Sequence, residues 1–137
     1  MNYWKKGCNH LLQCDPVFKK YYNPKHQLKT NKNKFDVLFK SICSQQISVS
    51  AAMSIYKNSK HIIGPINFTN FTNNKNKIKK LPLSNNKKKC LISLLENYHL
   101  VSKIKLNENS FEKVNKDLTQ IFGIGRWTAE MFSIFYL

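Results

Sequence analysis

The sequence predicts an all-α fold, and three observations carry that expectation. Apolar residues recur at helical spacing in several separate stretches, helix-starting residues stand ahead of them, and no two stretches alternate as a strand pair would. The 137 residues fit one domain, 1–137, built from six or so short helices.

Taken in order, Trp4, Cys8, Leu11 and Leu12 share one helical face. Asp15 followed by Pro16 reads as a helix restart, with the carboxylate as N-cap and proline in the first turn; Phe18, Tyr21 and Tyr22 follow. After a polar loop at 29–34, Phe35, Leu38, Phe39 and Ile42 form the clearest amphipathic stripe, which breaks around Ser44, Gln45 and Gln46. Ser48 caps a helix that turns Ala52, Ile55 and Tyr56 inward. Residues 64–80, with Gly-Pro and an Asn/Lys tract, predict a long surface connection. Ser84 starts a helix with Leu91, Leu94, Leu95 and Tyr98 buried and Lys87, Lys88 and Lys89 on its first turns. A polar break at 107–110 precedes Phe111, Val114, Leu118 and Ile121, again helically spaced, and 127–137 is nearly all apolar.

Composition narrows the function classes. A formal net charge of +16 favours polyanions, although only Arg126 of the 23 basic residues is arginine and 17 residues are asparagine. An AT-rich coding sequence yields such a composition unaided, so nucleic-acid binding and drift both stay open. Cys8, Cys14, Cys43 and Cys90 form no C-x-x-C pair, and His10, His26, His61 and His99 are equally scattered, so no metal, cofactor or Cys/His nucleophile is expected. No signal peptide or membrane span is legible, and the expectation is a cytoplasmic, nucleoid-associated monomer.

The stretch IFGIGRWTAE, 121–130, places two glycines one residue apart between two helix-like runs. This is a helix-hairpin-helix pattern at 111–137, in which glycine permits a tight corner and the amides opening the next helix can meet a phosphate. Ile124 would pack into the corner, its amides facing out, and Arg126 would add a cation. The alternative is a plain helix-capping glycine between two core helices.

Four blocks, YWKKGCNHLLQCDPVF, FDVLFKSICSQQISVSAAMSIY, LPLSNNKKKCLISL and IFGIGRWTAEMFSIF, together resemble the helix-hairpin-helix DNA glycosylase superfamily, in its DNA-3-methyladenine glycosylase II branch. The resemblance implies an all-helical enzyme of base-excision repair. It would flip an alkylated purine such as 3-methyladenine from duplex DNA and hydrolyse its N-glycosidic bond. It implies a phosphate clasp at Gly123, Ile124, Gly125, Arg126 and Thr128, and a base pocket at Trp127 and Met131, where an electron-rich indole suits a cationic base. Tryptophan stands where the bifunctional branch has a Schiff-base lysine, which implies monofunctional chemistry. Gln46, with Gln45 beside it, matches the wedge that fills the gap left by the flipped nucleotide.

One part of the pattern is not matched. The family's catalytic aspartate, which stabilises the oxocarbenium-like transition state, falls past Leu137, and Asp15, Asp36, Asp117 and Glu130 are not natural substitutes. The resemblance therefore implies a fold incomplete at its C-terminus, with Phe132, Phe135, Tyr136 and Leu137 short of partners. A non-catalytic DNA-binding module, or a decayed gene remnant, is the competing reading.

Overall fold

A computed structural model describes residues 3–26, 28–105 and 110–136; Leu137 and most of the polar break expected at 107–110 lie outside the described residues. Among the described residues every regular element is helical. Helix α1, Tyr3–Cys14, is followed by a 3-10 turn at Pro16–Lys20, where the Asp15 carboxylate accepts from Val17 N at 2.9 Å. The expected restart is thus present as a single tight turn. It packs on α1, leaving Trp4, Leu11, Phe18 and Tyr21 exposed.

The body is organised around α2, Lys34–Ser44, against which α3 (Val49–Ile63), α5 (Asn85–Glu96) and α8 (Arg126–Tyr136) pack. Asn33 caps α2 by accepting from Asp36 N at 3.1 Å, and the predicted stripe of Phe35, Leu38, Phe39 and Ile42 is fully buried. Each such side chain contributes roughly 1.5–3 kcal/mol relative to leaving it in water. Ser48, Ser84 and Ser110 cap α3, α5 and α7 (Phe111–Leu118), each accepting at 3.3 Å from the amide three residues on. Ala52 is buried, while Ile55 and Tyr56 are half-buried against the core.

Residues 64–80 are not a surface connection. They form α4, Phe68–Asn73, and a 3-10 turn at Lys75–Lys80, and they bury Ile66, Phe71 and Ile78. The asparagines that look like low complexity act as local caps. Asn67 accepts from Asn70 N at 2.8 Å, Asn70 donates to the carbonyls of Ile63 and Pro65, and Asn74 donates to Asn70 O. Phe71 then stands between Phe35 and Phe39, with ring centroids at 4.9 and 5.1 Å. Tyr98 opens a short α6, Tyr98–Ser102, and stacks on Phe68 at 4.0 Å.

Phe132 and Tyr136 likewise depart from expectation. Both are buried against the core and stacked at 5.0 Å, because α8 lies along α2 and turns that face inward. Phe135 alone of the described three is exposed, and its carbonyl accepts from Asn31 N at 2.8 Å.

Candidate nucleic-acid interface

The chain leaves α7 through consecutive tight turns, with Ile121 N donating to Leu118 O and Ile124 N to Ile121 O. The two glycines that follow serve different ends. Gly123 has φ +79°, and a Cβ there would lie 2.6 Å from Cys90 Cβ and 2.8 Å from its Sγ, so only glycine lets the hairpin rest on α5. Gly125 has no such φ, and nothing stands within 4 Å of where its Cβ would be. The fold does not need glycine at 125; the space above it is open.

Ile124 plugs the corner as expected, but its amide is spent within the turn. The unspent donors are those at the start of α8. The helix begins after Gly125, whose carbonyl accepts from Ala129 N and which has no side chain to cap with. Among the described residues, the amides of Gly125, Arg126 and Trp127 have no acceptor. These amides stand at the positive end of an 11-residue helix, beside open space, and are free to donate outward.

At the α2–α3 junction the two glutamines part company. Gln46 has φ +58° and is exposed, the only described residue besides glycine with positive φ. That conformation costs about 1–2 kcal/mol and projects its side chain outward. Gln45 turns the other way. Its Nε2 donates to Gly123 O at 3.0 Å and to Thr128 Oγ1 at 3.1 Å, which explains how Thr128, only 2% exposed, is satisfied in the interior. Thr128 therefore reaches no external phosphate, and Gln45 does not share the exposed tip with Gln46.

Trp127, 50% exposed, separates two cavities. On one side is a mainly apolar hollow of about 360 Å³, walled by Val37, Ser41, Ser44, Met131 and Phe135, with Lys29, Asn31 and Lys40 at its edge. That volume lies within the roughly 300–1,000 Å³ range of small-ligand sites. On the other side is a wider cleft of about 920 Å³, of mixed polar and apolar lining, between the hairpin, Gln45 to Ser48, and the start of α5 at Ser84, Asn86 and Lys87. Helices α3, α5 and α8 all begin at this cleft, so three positive helix ends converge there. Burial lowers the Lys87 pKa, and its Nζ is anchored on Cys43 O at 2.8 Å.

Arg126 stands apart from both cavities. Its guanidinium pairs with Glu130 at 2.7 Å and lines a groove with Phe111 and Glu112 over α7, because the i,i+4 spacing offers a carboxylate on that side. Among the described residues, no carboxylate lines the hollow or the cleft. Asp36 lies just behind the hollow's wall, 7% exposed, and is fully engaged by Tyr56 Oη at 2.6 Å, Lys40 Nζ at 2.8 Å and Asn31 Nδ2. Burial and this bond raise the Tyr56 pKa and keep its hydroxyl a donor. Sequence reasoning missed Ser41, Ser44, Asn31 and Lys40 as walls of the hollow; only the Asp36–Lys40 spacing of four hinted at an engaged carboxylate.

An all-helical body in which a glycine hairpin opens a helix beside the start of two others defines a helix-hairpin-helix class of protein. No family model matches the chain, and no curated protein matches it. Two solved structures do. The chain is similar to a DNA-3-methyladenine glycosidase from Bacillus halodurans, with 29% identity and a TM-score of 0.67, covering 81% of this chain and 54% of that one. It is also similar to the S. pombe 3-methyladenine DNA glycosylase Mag1 in complex with abasic DNA, with 27% identity and a TM-score of 0.76, covering 96% of this chain and 70% of that one. The chain thus has the all-helical fold of the helix-hairpin-helix DNA glycosylases, and it spans about half the length of the B. halodurans structure.

Proposed function

We propose that this chain acts in DNA repair as a DNA glycosylase unit that grips duplex DNA and receives an alkylated purine, such as 3-methyladenine, against Trp127. The observation that carries the reading is the indole standing between a cleft where three helix N-termini meet Lys87 and a mainly apolar hollow of small-ligand size. In this reading the amides of Gly125, Arg126 and Trp127 hold a backbone phosphate, a contact that positions the protein without reading sequence. Gln46 enters the gap, and the flipped base stacks on Trp127 with Met131 behind it. Tryptophan stands at 127, where the bifunctional relatives that the sequence resembles carry the Schiff-base lysine, which supports hydrolysis without lyase chemistry. Both named neighbours are 3-methyladenine glycosylases or glycosidases, one of them bound to abasic DNA, which supports the reading.

A second reading is favoured by the walls of both cavities, which carry no carboxylate among the described residues: a binding module that recognises the lesion without hydrolysing it. Hydrolysis through an oxocarbenium-like transition state needs a nearby negative charge, and the Asp36 carboxylate is already paired with Lys40 and hydrogen-bonded by Tyr56 and Asn31. Base release from methylated duplex by the 137-residue chain separates the two. Free 3-methyladenine accumulating above the rate of spontaneous loss establishes the enzyme; saturable binding with no release establishes the module. Failure to bind duplex DNA at all removes both.

A further inference from the structure

The two glutamines at the α2–α3 junction differ in a way that bears on how the interface is held together. Gln45 ends α2 and is only partly exposed, and its side chain crosses to a segment 78 and 83 residues away in sequence. Because Gly123 O can only accept, the NH₂ of the Gln45 amide must face the hairpin. One donor group thus holds both sides of the hairpin: the carbonyl of the strained Gly123 before it, and Thr128 in the first turn of α8 after it. Between those two anchors lie the unspent amides of Gly125, Arg126 and Trp127. The next residue along the chain is Gln46, held at φ +58° with its side chain outward into the same cleft.

We propose that Gln45 is a positioning residue: it fixes the distance between the Gln46 tip and the amides opening α8, so that phosphate engagement and insertion at the base gap occur together. The proposal rests on the DNA-binding reading above. The one described non-glycine residue with positive φ is thus the exposed glutamine directly after the brace, and a tip held in place by that brace gives its backbone cost a purpose. Without the Gln45 amide, Gly123 O and Thr128 Oγ1 lose their donor, and the hairpin can move relative to α2 without unfolding the core.

Gln45→Leu keeps the volume and removes the donor, and two measurements on it separate the possibilities. In the free protein, hydrogen exchange of the hydrogen-bonded hairpin amides of Ile121, Phe122 and Ile124 is expected to accelerate about tenfold, as for the loss of a net ~1–1.5 kcal/mol from one or two hydrogen bonds, while core amides of α2 and α5 keep their protection. In binding, the ratio of affinities for abasic and undamaged duplex should fall about tenfold, with undamaged-duplex affinity little changed. Adding Gln46→Ala to Gln45→Leu should cost less than it does alone, since a displaced tip has less to lose. Unchanged hairpin exchange overturns the brace, and equal loss on both duplexes, or strictly additive substitutions, overturns the coupling. If the unaltered chain binds neither duplex, the DNA-binding reading falls, while the exchange result still decides the brace.

Discussion

The hollow and the cleft share Trp127 and Ser44 yet are built from different parts of the helices. The hollow is mainly apolar and walled by side chains of α2 and α8, which pack on each other. The cleft has more polar lining and lies at the ends of helices, where Gln46, Lys87 and the start of α8 at Trp127 meet and, among the described residues, no carboxylate intervenes. Helix sides bury a flat apolar ring well and helix starts hold an anion well, so one indole between them faces both kinds of surface. In the proposed reading the difference divides recognition by backbone position: phosphate at helix termini, base on helix flanks.

Substitutions that respect or violate this division should differ in kind, and the largest effect is expected at Gly123. Gly123→Ala puts a methyl into Cys90 and strains a positive φ, and thermal or denaturant unfolding should register a loss of about 2–4 kcal/mol. Gly125→Asp adds a carboxylate in open space, so the same unfolding curve should stay put while duplex affinity falls about tenfold or more through repulsion and lost amide access. Equal destabilisation by both would erase the distinction between the glycines. Lys87→Ala comes next: it removes a cleft cation, and the slope of log affinity against log salt should fall by about 1, whereas Arg126→Ala, outside the cleft and paired with Glu130, should leave the slope nearly unchanged.

The smallest effect concerns pH. Burial pushes the thiols of Cys43 and Cys90 up to about 12 from an ordinary 9.0. Folding therefore favours their protonated forms: this stabilisation is complete below about pH 9 and is lost as pH rises from there towards 12. Stability measured across that range should decline. At pH 8 in native protein, thiol reagents should label Cys14, which is exposed, and spare Cys43 and Cys90.

Much of this architecture was legible in the sequence because its signals are local. Serines at 48 and 84 cap where a first-turn amide needs an acceptor, and the α2 stripe repeats at helical spacing. The region 64–80 was misread because its three buried residues, Ile66, Phe71 and Ile78, are too far apart to show a period among asparagines and lysines. The hairpin and Trp127 could be singled out, but the unequal duties of Gly123 and Gly125 could not, since they depend on Cys90 from another helix. Gln45 and Gln46 look alike in sequence; the sign of one φ angle and a partner 78 residues away set them apart. Arg126 read as a phosphate cation because its neighbour Glu130 is a helical turn off, a pairing that sequence permits without compelling.

The central claim, that an alkylated purine leaves the duplex and stacks on Trp127, is tested most directly by equilibrium binding to two duplexes. One carries a single non-hydrolysable analogue of 3-methyladenine and the other its unmodified parent, each measured with the unaltered chain and with Trp127→Ala. Stacking of one base on an aromatic ring is worth about 1–3 kcal/mol, so the unaltered chain should prefer the analogue by about tenfold or more, and Trp127→Ala should bring the two affinities together. Equal affinity of the unaltered chain for both duplexes, or a preference that survives Trp127→Ala, would contradict the account.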